Sequence, residues 1–123
     1  MVLSTIFQKA TQEGPYYEFV WPPTFERSAK GLLNEEDCRK LELDLIHNPE
    51  SGATVAGTGG ARKIRVALAG RGKRSGARVV YYFRSKKHRF YMIAAYTKSA
   101  KADLTAADKI AILKLVQTLE KEK

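Results

Sequence analysis

From Arg62 onward the apolar residues recur at every second position, and this period limits the possible folds more than any other feature of the chain. Ile64, Val66 and Leu68 share one side of a segment whose other side carries Lys63, Arg65 and Ala67. After Gly70-Arg71-Gly72-Lys73-Arg74-Ser75-Gly76, Val79, Tyr81 and Phe83 alternate with Arg78, Val80, Tyr82 and Arg84. Successive side chains of extended backbone point to opposite faces, so both segments are expected to be strands. Arg89 to Tyr96 is apolar on both sides, as a central strand covered on both faces requires. The connections are short, a basic hairpin tip and a turn at Ser85 to His88. Three consecutive strands are therefore expected to form a meander.

The remaining segments supply helices to cover it. Tyr16 to Trp21 is aromatic and β-branched and is stopped by Pro22-Pro23, which predicts a short strand. Thr24 is placed to cap a short helix of about Phe25 to Lys30, ending near Gly31. Asn34 precedes Glu35-Glu36-Asp37, acids suited to the positive end of a second helix, with Cys38, Leu41 and Leu45 as its buried stripe. Pro49 and Gly52 end that helix after His47. Thr105 and Asp108 form a capping-box start, followed by Ile112, Leu115, Val116 and Leu119 at helical spacing. Met1 to Pro15 has no clear period and is expected to be a loosely ordered lead or an edge segment. The chain of 123 residues, 44% apolar, is long enough for one core. The expectation is one α+β domain over residues 1–123, in the order β-α-α-β-β-β-α, with helices packed on a small twisted, mainly antiparallel sheet.

Charge is distributed as unevenly as hydrophobicity. The formal net charge is +9, yet Ser51 to Ala102 contains no Asp or Glu and thirteen Lys or Arg. A single-sign patch repels itself, and an anionic partner relieves that repulsion. A hairpin of Arg62 to Arg84 sets Lys63 and Arg65 beside Arg78 on the face opposite Ile64 and Val66, where phosphates can accept charge-assisted bonds from the arginine forks. A polyanion-binding face is expected. The lone Cys38 makes neither an intramolecular disulfide nor a metal site, and no apolar run approaches the roughly 20 residues of a membrane span. Together with the lack of a secretory pattern in Met1 to Ala10, this predicts a cytoplasmic protein with no membrane partner.

Gly59-Gly60-Ala61-Arg62-Lys63-Ile64-Arg65-Val66, followed by Gly72-Lys73-Arg74-Ser75-Gly76-Ala77-Arg78-Val79-Val80-Tyr81-Tyr82, resembles the HigB branch of the RelE toxins. The likeness runs from about Tyr17 to the final helix. It implies a microbial RNase fold, cleavage of messenger RNA in the ribosomal A site, no metal or other cofactor, and a cognate HigA-like antitoxin with a helix-turn-helix part. By the same resemblance Lys63, Arg65 and Arg78 match the family's basic catalytic residues, and Lys98 stands near the basic residue that ends the last strand. Where the RelE type carries a functional tyrosine before the terminal helix, this sequence has Asp103-Leu104, so Tyr96 or Tyr82 is expected in its place. Lys63 is the candidate base, because neighbouring arginines would lower its pKa while remaining too basic to give up protons themselves.

Arg62, Arg71, Lys73, Arg74, Tyr82 and Arg84 complete the expected RNA-binding surface. Tyr82 and Tyr96 can each stack on a base or simply cover the sheet. His88 in a lysine-rich turn is expected to be exposed, and Cys38 to be a small buried hydrophobe. Gly59-Gly60 lacks the Lys-Ser/Thr ending of a P-loop. Two other functions fit the same composition: an RNA- or ribosome-binding module without catalysis, and a gyrase inhibitor of the ParE kind.

Overall fold

The structure, a computed structural model, describes residues 4–9, 15–68 and 76–122. Its strands are β1 (Ser4–Lys9), β2 (Tyr16–Trp21), β3 (Ala53–Thr54), β4 (Arg62–Val66), β5 (Ala77–Arg84) and β6 (Arg89–Thr97). Its helices are α1 (Pro23–Ala29), α2 (Glu35–His47) and α3 (Ala106–Glu120). The six strands form one sheet in the order β1-β2-β6-β5-β4-β3. Every neighbouring pair is antiparallel except β2 and β6, which run parallel through Glu18–Val20 and Arg89–Tyr91. The expected meander is β4, β5 and β6. The lead supplies an edge strand, β1, paired with β2 from Ser4 opposite Trp21 to Lys9 opposite Tyr16. The two-residue β3 was not legible, being too short to show a period.

The sheet has a core on each face. On one side Phe19, Trp21, Val66, Val79, Tyr81, Phe90, Met92 and Ala95 pack with Phe25 of α1 and with Leu41 and Leu45 of α2. Phe90 is central there, stacked at 4.6 Å on Phe19 and 4.5 Å from Phe83. On the other side Ala61, Val80 and Leu104 meet Ile112 and Val116 of α3, with Tyr82, Ile93 and Tyr96 partly buried beside them. Consecutive residues Val79 and Val80 thus enter different cores, as the pleat demands. No helix among the described residues is long and apolar enough to cross a membrane.

Helix ends follow local chemistry. Asn34 and Asp37 bond each other's backbone N–H at 2.7 and 3.0 Å, a reciprocal cap for α2. At α1 the expected Thr24 cap is replaced: Pro22 holds the N-cap position and Pro23 opens the helix, where a missing N–H costs nothing and the fixed φ is already helical. Tyr81 Oη donates to the Pro49 carbonyl at 2.9 Å and accepts from Gly52 N–H at 3.0 Å, tying the α2–β3 connection to the sheet.

Helix α3 is fixed at both ends. At its start the Thr105 hydroxyl accepts from Asp108 N–H at 3.1 Å, and the Asp108 carboxylate accepts from Thr105 N–H at 2.8 Å while pairing with Lys101. At its end Arg84, only 7% exposed, donates to the Leu119 carbonyl at 2.8 Å, the Glu120 carbonyl at 3.2 Å and the Glu122 carbonyl. A buried cation at the negative end of a helix dipole is well matched. Arg84→Ala should therefore cost about 2–3 kcal/mol in urea unfolding, through lost charge-assisted bonds. Hydrogen exchange should quicken in the last turn of α3 and stay unchanged in β4.

The Lys101 ammonium and the Thr105 N–H hold the Asp108 carboxyl below the ordinary aspartate value of 3.8. The folded state then binds fewer protons than the unfolded chain, so this stabilisation is present above about pH 4 and is lost as pH falls through the depressed value. Asp108→Asn should flatten that part of the acid-unfolding curve; an unchanged slope would show that the cap contributes no linkage.

Candidate nucleic-acid interface

The register of the meander determines which side chains meet. Arg65 lies opposite Arg78, and Arg78 lies opposite Tyr96, so one row crosses β4, β5 and β6. The adjacent row is Lys63, Val80 and Ala94. Val80 and Tyr96 pack on the α3 side, and residues two apart on a strand share a face, so Arg78, Lys63 and Arg65 face the same way. Neighbours across strands stand about 4.5–5.5 Å apart at Cβ, which brings these groups within reach of one phosphodiester.

Tyr96 joins this face through an irregularity. Val80 pairs with Ala94 while Tyr81 pairs with Met92, so Ile93 is an extra residue in β6. Strict alternation from Phe90 and Met92 would put Tyr96 in the core beneath α1 and α2. The bulge shifts the parity by one, places Ala95 in that core and turns Tyr96 toward α3. Beyond the end of β2, Ser28 of α1 covers β6, its hydroxyl accepting from Ala95 N–H at 3.0 Å.

Gly76 closes the row at the hairpin end. A Cβ there would stand 2.0 Å from the Val66 carbonyl oxygen, so only glycine lets β4 and β5 approach beside Arg65 and Arg78. Arg78 is 9% exposed and its Nη1 donates to the Gly76 carbonyl at 3.3 Å, whereas Arg65 is exposed. Tyr96 is half-buried. Burial first, and then the Asp103 carboxylate, push its phenol above the ordinary value, against an opposing pull from Arg78.

Asp103 adds a residue that the sequence does not single out. Its Oδ1 stands 3.1 Å from Lys63 Nζ and accepts from Leu104 N–H at 2.8 Å. Those two contacts hold its carboxyl below the ordinary range, the Leu104 N–H most strongly. Alternation predicts Lys63 among cations alone; the connection from β6 to α3 adds a carboxylate to that environment. A hint was available, since Asp103 is the first acid after the acid-free stretch and stands just before the cap of α3.

The other expected residues are scattered. Lys98 lies in the exposed turn directly after β6. Arg62 falls on the opposite face, one residue out of phase with Lys63, and donates to the Gly52 and Glu50 carbonyls at 2.8 and 3.1 Å. Tyr82 shares the α3 face, yet its hydroxyl bonds the Glu120 carboxylate, and burial with that contact pushes its pKa up to about 12. Arg84 is enclosed at the end of α3 as described. Arg62, Tyr82 and Arg84, expected among the RNA contacts, thus have donors engaged by loop and helix carbonyls or by a carboxylate. Arg71, Lys73 and Arg74 lie outside the described residues.

A row of cations beside a neutral phenol is equipped to hold phosphate and to stabilise charge that develops on it. One solved structure similar to this chain is a double arginine-to-alanine mutant of the E. coli toxin RelE in the free state. It is 24% identical, with 63% of this chain and 81% of that chain covered and a TM-score of 0.41. The family described as the RelE toxin of the RelE / RelB toxin-antitoxin system matches residues 24–123, from α1 through the whole meander to α3. This chain belongs to the RelE toxin family.

Proposed function

We propose that the protein is a toxin that cleaves messenger RNA in the A site of the ribosome, in the manner of the HigB branch. The observation that carries this reading is the row of Arg65, Arg78 and Tyr96 across three strands, with Lys63 next to it on the same face. Arginines directly opposite each other on neighbouring strands repel, at a cost of about 0.2–1 kcal/mol. A phosphate seated between them reverses that sign.

The reaction uses groups already in the RNA. A ribose 2′-oxygen attacks the adjacent phosphorus, the bond to the 5′-oxygen breaks, and the products are a 2′,3′-cyclic phosphate and a 5′-hydroxyl. One proton leaves the attacking hydroxyl and one is delivered to the departing oxygen. Arg65, Arg78 and Lys63 stabilise the charge on the five-coordinate phosphorus, with Lys98 adding to the field from the neighbouring turn. Tyr96, raised above its ordinary 10.0, stays a neutral phenol near pH 7, suited to donating a hydrogen bond to the sugar or phosphate or to stacking on a base. Its partner is a HigA-like antitoxin with a helix-turn-helix part, and both act in the cytoplasm.

Transcript ends mapped from an in vitro translation reaction test the proposal. Cleavage is expected within codons and only when ribosomes are present; intact messenger with folded protein and active ribosomes rejects it. Arg78→Ala should lower the cleavage rate about 10²–10³-fold, the usual cost of one preorganised donor, and should restore growth to cells expressing the toxin. Equal toxicity from a folded Arg78 variant would remove that residue from the site.

A further inference from the structure

The Lys63–Asp103 contact is not explained by stability. Asp103 has 62% of its side chain exposed and Lys63 32%, and an ion pair so open to solvent contributes little to folding. The carboxylate is nevertheless held in place. Its Oδ1 is bonded to Leu104 N–H, Leu104 is buried under α3, and Thr105 begins the α3 cap directly afterwards. The next residue after Thr97 with a charge opposite to the cation row is therefore fixed where an anion on Lys63 would sit, with its negative field reaching Tyr96.

Resting on the proposed RNA cleavage, the geometry points to Asp103 as an affinity-setting residue of the site, a resident anion that occupies the Lys63 ammonium until an RNA phosphate displaces it. A carboxylate oxygen and a phosphate oxygen present the same acceptor to an ammonium group. RNA must break the Lys63–Asp103 pair to use Lys63, so each binding event exchanges one anion for another instead of adding a contact. The site holds RNA less tightly than its cations would alone, and after cleavage Asp103 is in place to reclaim Lys63. Because Leu104 N–H bonds Asp103 independently of Lys63, the carboxylate keeps one fixed partner when the ammonium turns away.

The test is binding of a 2′-O-methyl oligoribonucleotide, which cannot be cleaved, to the full chain across a salt series. Asp103→Asn keeps an acceptor for Leu104 N–H and removes the charge. It should tighten binding about two- to five-fold at low salt, the range set by one exposed ion pair. The log–log salt dependence should steepen by up to about 0.7, because in the wild type the displaced Asp103 carboxylate takes up a salt cation that offsets one released from the strand. In a Lys63→Met background the same substitution should change neither quantity. Equal or weaker binding by folded Asp103→Asn overturns the inference. So does a gain that persists in Lys63→Met, which would make Asp103 only a distant charge. Failure of the wild type and Asp103→Asn alike to bind RNA at low salt overturns this inference, while the proposed function stands or falls separately on the translation reaction; wild-type binding with no Asp103 effect sinks this inference alone.

Discussion

The cation face depends on strand parity, and in β6 that parity is reset by one residue. Ile93 is the extra residue between Met92 and Ala94, and after it each β6 side chain has changed sides. Upstream, Phe90 and Met92 fill the core under α1 and α2; downstream, Ala95 fills it and Tyr96 turns to α3. A sheet whose two faces are both buried tolerates such a shift only when each displaced residue suits its new surroundings. Ile93 keeps to the α3 core, and Ala95 suits the other core by being small enough to sit beside α1 with its N–H on Ser28. The row of Arg65, Arg78 and Tyr96 therefore rests on packing at Ile93, three residues before Tyr96.

Most of the fold was legible because it is written in periods. Alternation located β4 and β5, the 3.6-residue repeat located α2 and α3, and the Asn34 and Thr105 caps placed their starts. What was missed lacks a period. Ala53–Thr54 is too short to show one, the bulge at Ile93 lies in a strand apolar on both faces, and Pro22-Pro23 reads as a stop although it also starts α1. Where both faces are apolar, an inserted residue leaves no trace in the hydrophobic pattern.

The site was legible in part, for a different reason. Sequence shows which residues alternate together, and alternation alone groups Lys63, Arg65 and Arg78. It does not show what each donor meets at its far end. Arg62, Tyr82 and Arg84 have the composition of RNA contacts and the surroundings of structural ties, because carbonyls at Gly52, Leu119 and Glu120 and the Glu120 carboxylate reach them first. A cation that satisfies a helix end contributes its bonds to the fold and has few left for a ligand.

Intramolecular partners reshape the charge pattern as a whole. Each ion pair among the described residues joins a cation from the acid-free stretch to an acid outside it: Arg62 to Glu50, Lys63 to Asp103, Arg84 to Glu120, Arg89 to Glu18 and Lys101 to Asp108. Segregation along the sequence thus becomes partial neutralisation in space. Folding does not spread that neutralisation evenly. Arg84 and Arg89 are mostly covered at their pairs, whereas Lys63 meets an acid that remains largely in solvent, and Arg65 stays exposed next to Arg78. Exposed pairs exchange readily with other anions, since water and salt have already weakened them. The fold therefore fixes the cations it needs for its own helix and strand ends, and leaves Lys63 with an exchangeable pair and Arg65 exposed. An anion exchanging with the Asp103 carboxylate on Lys63 would leave the ties at Arg84 and Arg89 intact.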